Sequence, residues 1–309
     1  MLKNDLLIIL GPTASGKTKL AVNLANEFNG EIISADSRQI FRGMDIGTGK
    51  DLAEYRIKDK QIPFHLIDTV DAGEKYHVNL FKEDFYRSLQ TVRDHHAMPI
   101  LCGGTGMYIH SLLQNHEFTA IPIDEILRAD LQQKPKDFLI DQLNSYPKKL
   151  RENVDYSSVK RLIRAIEIAE YLKNNGFVKT ERPQLNSFII GLNNDVEARR
   201  KKILDRLELR LKTGLIEEVE GLIAKGITID MLTFYGLEYK FVAAYLSHQF
   251  DLETLKERLG VAICQFAKRQ MTFFRKMEKD GVQINWLNAN DELINDKAIE
   301  LVKCNFELK

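Results

Sequence analysis

The chain has little of what would indicate an exported or a membrane protein. Its 309 residues include three cysteines, which are odd in number, far apart and without a C-x-x-C pair. This argues against both a disulfide framework and a structural zinc site. The apolar stretch near the N-terminus, Leu6–Leu10, is short, and no run approaches the roughly 20 apolar residues that a membrane span needs. We therefore expect a cytoplasmic protein that does not associate with membranes.

The chain also lacks an excess of either charge, because 44 lysines and arginines balance 44 aspartates and glutamates. No global field attracts a polyanion, and a nucleic acid would have to be bound by a local basic patch. Basic residues outnumber acidic ones in three stretches, 148–182, 197–212 and 256–279. One such stretch is usually only a solvated face, but three in a neutral chain indicate a segregated positive surface suited to a large polyanion.

Apolar, strand-like runs alternate with segments of helical periodicity, which is typical of an α/β fold with a parallel sheet flanked by helices. The runs are Leu6–Leu10, Glu31–Ser34, Pro99–Cys102, Ser187–Leu192 and Val282–Leu287. Between Glu117 and Arg182 the pattern changes, because prolines separate short helical stretches and strand-like runs are missing. We expect a mostly helical insertion at 118–182 within a core of residues 1–117 and 183–309.

Three long helices are predicted in the second half of the chain, at about Ser157–Asn174, Asp195–Lys212 and Leu255–Lys279. In the last of them, an apolar stripe at helical spacing is expected to face the core. The stripe consists of Leu255, Leu259, Ala262, Phe266, Phe273 and Met277.

The motif G-x-x-x-x-G-K-[ST] of phosphate-binding loops occurs between the first strand-like run and the helical segment Lys17–Phe28. In that setting the loop N–H groups and the helix N-terminus favour a polyphosphate, Lys17 would reach its terminal phosphates, and Thr18 would bind Mg²⁺. A chance glycine turn is the alternative. The expected diphosphate-binding residues are Gly11, Pro12, Thr13, Ala14, Ser15, Gly16, Lys17 and Thr18.

Two further loops follow predicted strands, and ligands of open α/β sheets bind beyond the carboxyl ends of the strands. Asp36 follows the second run and could bind Mg²⁺ or accept a proton from a nucleophile. Its alternative role is an ordinary cap of the turn. Gly103–Gly106 follows the third run, and its glycines would let the backbone and the Thr105 hydroxyl approach a second part of a phosphate ligand. A plain turn is the alternative for this segment.

The order of these motifs resembles that of the bacterial tRNA dimethylallyltransferases, over about residues 6–287. After the phosphate loop, the resemblance rests on Asp36-Ser-Arg-Gln39, Arg42-Gly-Met-Asp-Ile-Gly-Thr-Gly-Lys50, His65-Leu-Ile-Asp68, Gly103-Gly-Thr-Gly106, Lys160-Arg-Leu-Ile-Arg-Ala-Ile-Glu167 and Ala267-Lys-Arg-Gln270. The long block that runs from Asp36-Ser-Arg-Gln39 through Gly43-Met-Asp-Ile-Gly-Thr48 is far more specific than the phosphate loop alone.

The resemblance implies a P-loop α/β core with a helical insertion that binds tRNA. It implies transfer of a dimethylallyl group from dimethylallyl diphosphate to N6 of adenosine 37, beside the anticodon, with release of diphosphate and use of Mg²⁺. The implied partners are the tRNA anticodon stem-loop and dimethylallyl diphosphate, and we expect a monomer. Among the implied catalytic residues, Asp36 is the general base and Thr105 lies near the bridging oxygen. Arg206 contacts the diphosphate together with Lys17.

The resemblance also implies a set of tRNA contacts on Asp36–Gln39, Lys160–Arg164 and Thr233–Glu238. The residues expected to bind tRNA are Asp36, Ser37, Arg38, Gln39, Thr105, Arg128, Lys160, Arg161, Leu162, Ile163, Arg164, Lys268 and Arg269. The chain departs from the family pattern at Val154-Asp155, Tyr235-Gly-Leu-Glu238 and Phe273-Phe274. From the sequence, we expect these departures to affect recognition of the RNA and to leave the diphosphate site intact.

Two other functions are compatible with the phosphate loop. A nucleoside or small-molecule kinase would need a lid of arginines that closes on ATP, for which Arg128, Arg151, Arg161 and Arg164 are available. A non-catalytic RNA-binding regulator would use a nucleotide only as a switch. The presence of Asp36 together with Thr105 argues against the regulator.

Overall fold

A computed structural model of the chain describes residues 4–114, 117–151, 154–177 and 180–306. The chain divides into two compact units, one of Met1–Gln114 with Gln184–Lys309 and the other of Asn115–Pro183. Lys179, part of the first basic stretch, lies outside the described residues. None of the helices in the described ranges is long and apolar enough to cross a bilayer.

All strands within the described ranges lie in the first unit. They are β1 (Leu6–Leu10), β2 (Gly30–Ser34), β3 (Arg56–Ile57), β4 (Lys60–Gln61), β5 (Phe64–His65), β6 (Met98–Gly103), β7 (Ser187–Asn193) and β8 (Asn285–Asn288). The helices are α1 (Lys17–Glu27), α2 (Val78–Asp94), α3 (Gly106–Leu113), α4 (Glu125–Gln132), α5 (Lys136–Asn144), α6 (Val159–Asn174), α7 (Val196–Lys212), α8 (Leu215–Ala224), α9 (Ile229–Tyr235), α10 (Leu237–Leu246), α11 (Leu252–Lys279) and α12 (Ile294–Asn305). Helices α4, α5 and α6 belong to the second unit.

A six-stranded parallel sheet in the order β5-β2-β6-β1-β7-β8 forms the centre of the first unit. The central strand β1 pairs with β6 on one side and β7 on the other, so that Leu7 lies opposite both Ile100 and Phe188. All of β1 is buried, as is typical of a parallel strand covered on both faces. The predicted α/β class with a parallel sheet is confirmed.

Two apolar clusters cover the two faces of this sheet, because successive side chains of a strand point to opposite sides. Leu6, Ile8 and Leu10 pack in the larger cluster with α2, α3 and helices α7 to α11. Leu7 and Ile9 pack in the smaller one, with α1 and α12. The helices therefore flank the sheet, as the alternating pattern predicts.

Two details near the C-terminus differ from the predictions. The strand expected to begin at Val282 is β8, which begins at Asn285, because the Val282 N–H donates to the Met277 carbonyl and so helps to end α11. The predicted stripe of α11 is partly wrong. Its buried face runs through Ile263, Ala267, Met271 and Phe274, so the expected core residues Ala262, Phe266 and Phe273 lie beside it.

The second unit is built around α6, whose apolar residues pack against α4 and α5. Within it the Glu167 carboxylate is buried, and it accepts two hydrogen bonds from Arg128, at 2.8 and 2.7 Å. Arg164 lies 3.3 Å from the same carboxylate and donates to the Ile121 carbonyl at 2.6 Å. A buried carboxylate needs such partners.

In the first unit, the loop Phe41–Lys50 is held by a lysine inside the protein. The Lys50 side chain is fully buried, and its ammonium donates to the Phe41 carbonyl at 2.6 Å, to Asp45 at 2.7 Å and to Asp68. These three acceptors replace the water that a buried ammonium loses. Lys50 thus connects the end of the loop to its beginning at Phe41 and to its middle at Asp45.

A carboxylate fixes the middle of the same loop from outside. Glu218, in α8, accepts hydrogen bonds from the backbone N–H groups of Asp45, Ile46 and Gly47 at 2.7, 2.7 and 3.0 Å. It also accepts one from the Tyr239 hydroxyl at 2.7 Å. A carboxylate that accepts several N–H bonds is a strong anchor, so this loop forms a defined wall for the cavity described next.

Candidate functional site

A cavity of about 560 Å³ opens at the carboxyl ends of three neighbouring strands, β2, β6 and β1. The loops that follow these strands form one side of it, and residues from α7, α10 and α11 form much of the rest. Lys17, Asp36, Thr105 and Arg206, which the sequence analysis proposes as catalytic residues, all line this cavity. Residues separated by up to 189 positions, from 17 to 206, therefore meet at one site.

The phosphate loop joins β1 to α1 in a conformation that depends on glycine. Gly16 precedes the first turn of α1 with φ of 80°, a region that side chains other than glycine rarely adopt. At Gly11 a Cβ atom would lie 2.7 Å from Ser15 Oγ and 2.9 Å from the Leu192 carbonyl oxygen, so a larger residue would displace the loop. The loop therefore presents its N–H groups and the start of α1 together, as phosphate binding requires.

Lys17 is the cation of this loop. Its ammonium donates to the Pro12 carbonyl at 3.2 Å, across the loop. Burial lowers the pKa of Lys17 from its ordinary value, and the Asp36 carboxylate acts in the opposite direction. A bound phosphate would supply the negative charge that favours the protonated ammonium.

The loops after β2 and β6 are locked to each other by backbone hydrogen bonds. The Ala35 N–H donates to the Cys102 carbonyl at 2.7 Å, and the Thr105 N–H donates to the Ala35 carbonyl at 3.2 Å. A Cβ atom at Gly103 would lie 2.3 Å from the Ala35 carbonyl oxygen, which explains the glycine there. The Thr105 hydroxyl in turn accepts a hydrogen bond from the Ser37 N–H at 3.0 Å.

Asp36 has one oxygen engaged in its own turn. Its Oδ1 accepts a hydrogen bond from the Arg38 N–H at 3.0 Å, which is the turn cap considered as the alternative role. Within the described residues, Oδ2 makes no hydrogen bond, and the side chain lines the cavity. The cap therefore orients the carboxylate and leaves its second oxygen available to a ligand.

Gln270 of α11 connects two of the loops across the cavity. Its side-chain carbonyl accepts a hydrogen bond from the Thr13 N–H at 2.8 Å, and its amide donates to the Gly104 carbonyl at 2.9 Å. A Cβ atom at Gly104 would lie 2.5 Å from this amide nitrogen, so glycine is needed for the approach. One side chain thus fixes the phosphate loop relative to the loop that carries Thr105.

Arg206 reaches the phosphate loop from α7. Its guanidinium donates a hydrogen bond to the Thr13 hydroxyl. Burial, together with the neighbouring Arg210 guanidinium, lowers the pKa of Arg206 to about 10, so that it remains protonated at neutral pH. A cation held in this way, close to the N–H groups of the loop, is suited to an anionic ligand.

Arg38 and Gln39 were expected to contact tRNA, and the structure gives them different surroundings. The Arg38 guanidinium lies over the ring of Phe234, 5.3 Å from its centroid, and lines the cavity. Gln39 is only 9% exposed and donates to the Gly49 carbonyl at 3.0 Å. Gln39 therefore supports the loop Phe41–Lys50 from within, in addition to lining the cavity.

An apolar side of the cavity is formed by α11. Ile263, Phe266 and Phe273 line it, and Phe266 is 41% exposed. At Gly106 a Cβ atom would lie 2.4 Å from the Phe273 ring, so the ring packs directly on the start of α3. The aromatic residues that the predicted stripe of α11 assigned to the core are thus part of the site.

Lys268 and Arg269 are adjacent in sequence but do not share a surface. Arg269 lines the cavity, whereas Lys268 lines a separate groove beside α7. Neighbouring residues on a helix differ in direction by about 100°, which accounts for the separation. Of this pair, only Arg269 lines the cavity, and the expected contact of Lys268 with tRNA would lie outside it.

In the second unit, two residues that were expected to contact tRNA lie in the core instead. Leu162 and Ile163 are buried in the core of that unit, because they lie on the face of α6 that packs against α4 and α5. Their side chains are therefore not available to RNA. Lys160 and Arg161 are on the exposed side of α6, and Arg161 pairs with Asp155.

A divalent metal would find few protein ligands at this site. Among the described residues, no group of three or more His, Cys, Asp or Glu side chains could hold an ion. The cavity offers the Thr18 hydroxyl, in the first turn of α1, and the Asp36 carboxylate. Mg²⁺ in phosphate sites is typically held by one or two protein oxygens, substrate phosphates and waters, so this donor set is compatible with Mg²⁺ bound together with a phosphate ligand.

Several residues of the site were not identified from the sequence. Arg210 and Tyr239 line the cavity, and Gln270, quoted only as part of a motif, connects its loops. For Arg210 a signal existed, because it follows Arg206 by four positions and therefore lies on the same face of α7. For Gln270 the spacing on α11 gives no hint that its partners are Thr13 and Gly104.

Two family descriptions match the sequence. The one described as IPP transferase matches residues 39–277, and the one described as isopentenyl transferase matches residues 4–69. The first alone covers well over half of the chain.

Similar proteins have consistent names. The chain is 49% identical over 299 residues to tRNA dimethylallyltransferase 2 of Bacteroides fragilis, covering 97% of each chain. It is 51% identical over 284 residues to tRNA dimethylallyltransferase 1 of Porphyromonas gingivalis, covering 92% of this chain and 94% of the other. A solved structure, the tRNA isopentenylpyrophosphate transferase of Bacillus halodurans, superposes with a TM-score of 0.70 at 31% identity, covering 98% of this chain and 95% of that one.

The bridge made by Gln270 gives a prediction about anion binding. We expect Gln270→Leu to weaken binding of inorganic pyrophosphate by about tenfold or more, because the Thr13 N–H and the Gly104 carbonyl lose their partner and the two loops separate. Isothermal titration calorimetry in the presence of Mg²⁺ measures the change. Gln265→Leu, on an exposed position of the same helix, is the matched control. Equal affinities of the two variants would contradict the role of Gln270.

Proposed function

The chain belongs to the IPP transferase family and transfers a dimethylallyl group to tRNA, and we propose that the acceptor is N6 of adenosine 37, beside the anticodon. The proposed donor is dimethylallyl diphosphate, whose diphosphate is released. The observation that carries the proposal is that the phosphate loop and the Asp36 carboxylate line one cavity, with Thr105 hydrogen-bonded to the loop that carries Asp36. An anionic leaving group and a proton acceptor are thus held beside the same space.

In the proposed reaction, the bond between the allylic carbon and the bridging oxygen of the diphosphate breaks as the bond from N6 to that carbon forms. The electron pair of the broken bond leaves with the diphosphate. The N–H groups of the phosphate loop, Lys17 and Arg206 lie where they would stabilise this growing negative charge. The phosphate loop therefore holds a leaving group and does not donate a phosphoryl group.

The adenine amine is a weak nucleophile, because its lone pair is delocalised into the ring. A proton must be removed from N6 as the new bond forms, and the Asp36 carboxylate is the proposed acceptor. Its Oδ1 is fixed by the Arg38 N–H, which leaves Oδ2 to face the ligand. Because a stacked base could not bring N6 to this carboxylate, we propose that adenosine 37 is turned out of the anticodon loop into the cavity.

The proposed cofactor is Mg²⁺. The Thr18 hydroxyl is the side chain that would hold it beside the phosphates. When bound, it would neutralise part of the charge of the diphosphate. The protein groups described above would still provide the orientation of the two substrates.

The proposed tRNA surface consists of cationic side chains in each unit that are exposed or, for Arg38, partly exposed. Lys160 and Arg161 supply it in the second unit, and Arg38 and Arg269 supply it at the cavity of the first. Arg128 and Arg164 contribute mainly by holding the buried Glu167. The contacts of Arg128 and Arg164 with Glu167 also weaken the kinase alternative. Both arginines are bound within their own unit, so they are not free to close on ATP as a lid.

A labelling experiment tests the proposed reaction. Incubation of the protein with Mg²⁺, radiolabelled dimethylallyl diphosphate and unmodified tRNA is expected to place label in the RNA. A tRNA with guanosine at position 37 is the control and should stay unlabelled, because guanine has no N6 amine. Consumption of ATP without label in RNA would contradict the proposal and favour a kinase.

The role of Asp36 is tested by Asp36→Asn, which keeps the hydrogen bond from the Arg38 N–H but cannot accept the proton. We expect kcat to fall by at least about 10²-fold, while the affinity for inorganic pyrophosphate changes by less than about threefold. Single-turnover kinetics and calorimetry measure the two quantities. Unchanged turnover would show that Asp36 is not the base.

The tRNA surface of the second unit is tested by the double variant Lys160→Ala and Arg161→Ala. We expect weaker tRNA binding, with the slope of log K against log salt reduced by about two, one for each lost phosphate contact. The affinity for pyrophosphate should not change. The pair Lys297→Ala and Lys303→Ala, at exposed positions of α12 outside the three basic stretches, is the charge-matched control. Equal salt slopes in the two double variants would rule out this surface.

A further inference from the structure

Arg210 is a buried cation for which the reaction described above has no role. It lies one turn after Arg206 on α7 and, although it is only 7% exposed, it lines the same cavity. Arginine is rarely buried without a partner, because its five N–H donors lose their contacts with water. The partners of this guanidinium are therefore informative.

The carboxylates near Arg210 are too far away to satisfy it. Asp51 Oδ2 lies 3.8 Å from Nη2, and Glu238 Oε1 lies 3.7 Å from Nη1. In the part of the chain that the structure describes, no hydrogen bond involves the Arg210 guanidinium. By contrast, Arg206 is hydrogen-bonded to the phosphate loop. Arg210 is thus attracted to two acids without being hydrogen-bonded to either.

The loop Phe41–Lys50 leaves space for this guanidinium. Gly49 has φ of 65°, where another residue would be strained, and a Cβ atom there would lie 1.8 Å from Arg210 Nη2, so the guanidinium occupies space that a side chain would take. The loop is fixed by Glu218 and Lys50, as described above. The position of Arg210 is therefore built into the wall of the cavity.

The charges around Arg210 are also suited to binding an anion. The Arg206 and Arg210 guanidinium groups are close enough to lower the pKa of Arg206, and Glu238 is a buried carboxylate beside them. Burial raises the pKa of Glu238, while Arg210 acts in the opposite direction. Arg210 is thus ion-paired with two acids but hydrogen-bonded to neither, so its N–H donors are suited to a phosphate ligand.

From these contacts we propose that Arg210 is a second guanidinium that binds a phosphate oxygen of the allylic diphosphate, next to Arg206. The inference rests on the proposed function for the identity of the donor, but binding of pyrophosphate itself can be tested without the reaction. Glu238 is a positioning residue that keeps Arg210 against the cavity wall until the diphosphate binds. A phosphate of the RNA backbone is a less suitable ligand, because Arg210 is almost fully buried and one turn from a residue that contacts the phosphate loop.

Calorimetric titration with inorganic pyrophosphate and Mg²⁺ tests the proposal. We expect Arg210→Met to weaken binding by about tenfold or more, the loss of a bidentate charged contact. Arg210→Lys keeps the charge but lacks the planar fork, and it should give a smaller but measurable loss. Leu209→Met, at an exposed position of the same helix, is the control for folding and should bind normally. Normal pyrophosphate affinity in both Arg210 variants would overturn the proposal.

A double variant separates binding from simple charge neutralisation. If Arg210 serves only to neutralise the buried Glu238, the variant Arg210→Met with Glu238→Gln should recover the affinity of Glu238→Gln alone. We expect no such recovery, because the phosphate contact is still missing. Full recovery would therefore overturn the proposal.

Titration of the same variants with tRNA separates the two sources of phosphate. We expect Arg210→Met to leave the salt slope of tRNA binding unchanged. A reduced slope with normal pyrophosphate affinity would assign Arg210 to the RNA backbone and overturn the proposal. If wild-type protein binds pyrophosphate through Arg210 but places no label in tRNA, the proposed function fails and the anion contact remains.

Discussion

The site depends on the way the loops after β2 and β6 are bound to each other. The hydrogen bonds that join Ala35 to Cys102 and to Thr105 continue the pairing of the two strands past their ends. Asp36 directly follows the first of these residues, so its position relative to Thr105 is fixed by backbone geometry and not by flexible side chains. Gln270 extends this connection to the phosphate loop, which makes the three loops one rigid wall. Catalysis that relies on orientation requires such a wall.

The cations in that wall make the cavity suited to an anion. Lys17, Arg206 and Arg210 all line the cavity, and burial lowers the pKa of the first two. Charges held at low effective dielectric interact strongly with a ligand of opposite sign, and they are costly while none is bound. The carboxylates of Asp51 and Glu238, 3.8 and 3.7 Å from the Arg210 guanidinium, reduce this cost without accepting hydrogen bonds from it. The cavity is therefore organised around an anion, in agreement with the leaving group of the proposed reaction.

The fold and the strand ends could be predicted from the sequence, because they depend on local patterns. The phosphate loop, Asp36 and Thr105 each follow a buried apolar run, and parallel strands bring their carboxyl ends to one edge. The periodicity of α11 was less informative, since a long amphipathic helix can also place apolar side chains in a cavity. Phe266 and Phe273 are apolar, as core residues usually are, but they line the site. In α6 the reverse occurred. Leu162 and Ile163 were expected to contact the RNA, but they lie in the core of the second unit.

The sequence by itself determined the α/β class, the phosphate loop and the order of motifs that relates this chain to tRNA-modifying transferases, because each is encoded in residues close together in the chain. Only the tertiary structure decided which distant side chains complete the site. Gln270 meets Thr13 across 257 positions, and Arg210 occupies the space left by Gly49. Such contacts depend on how whole helices pack against the sheet, and a side chain carries no local signal of the partner that packing will bring to it.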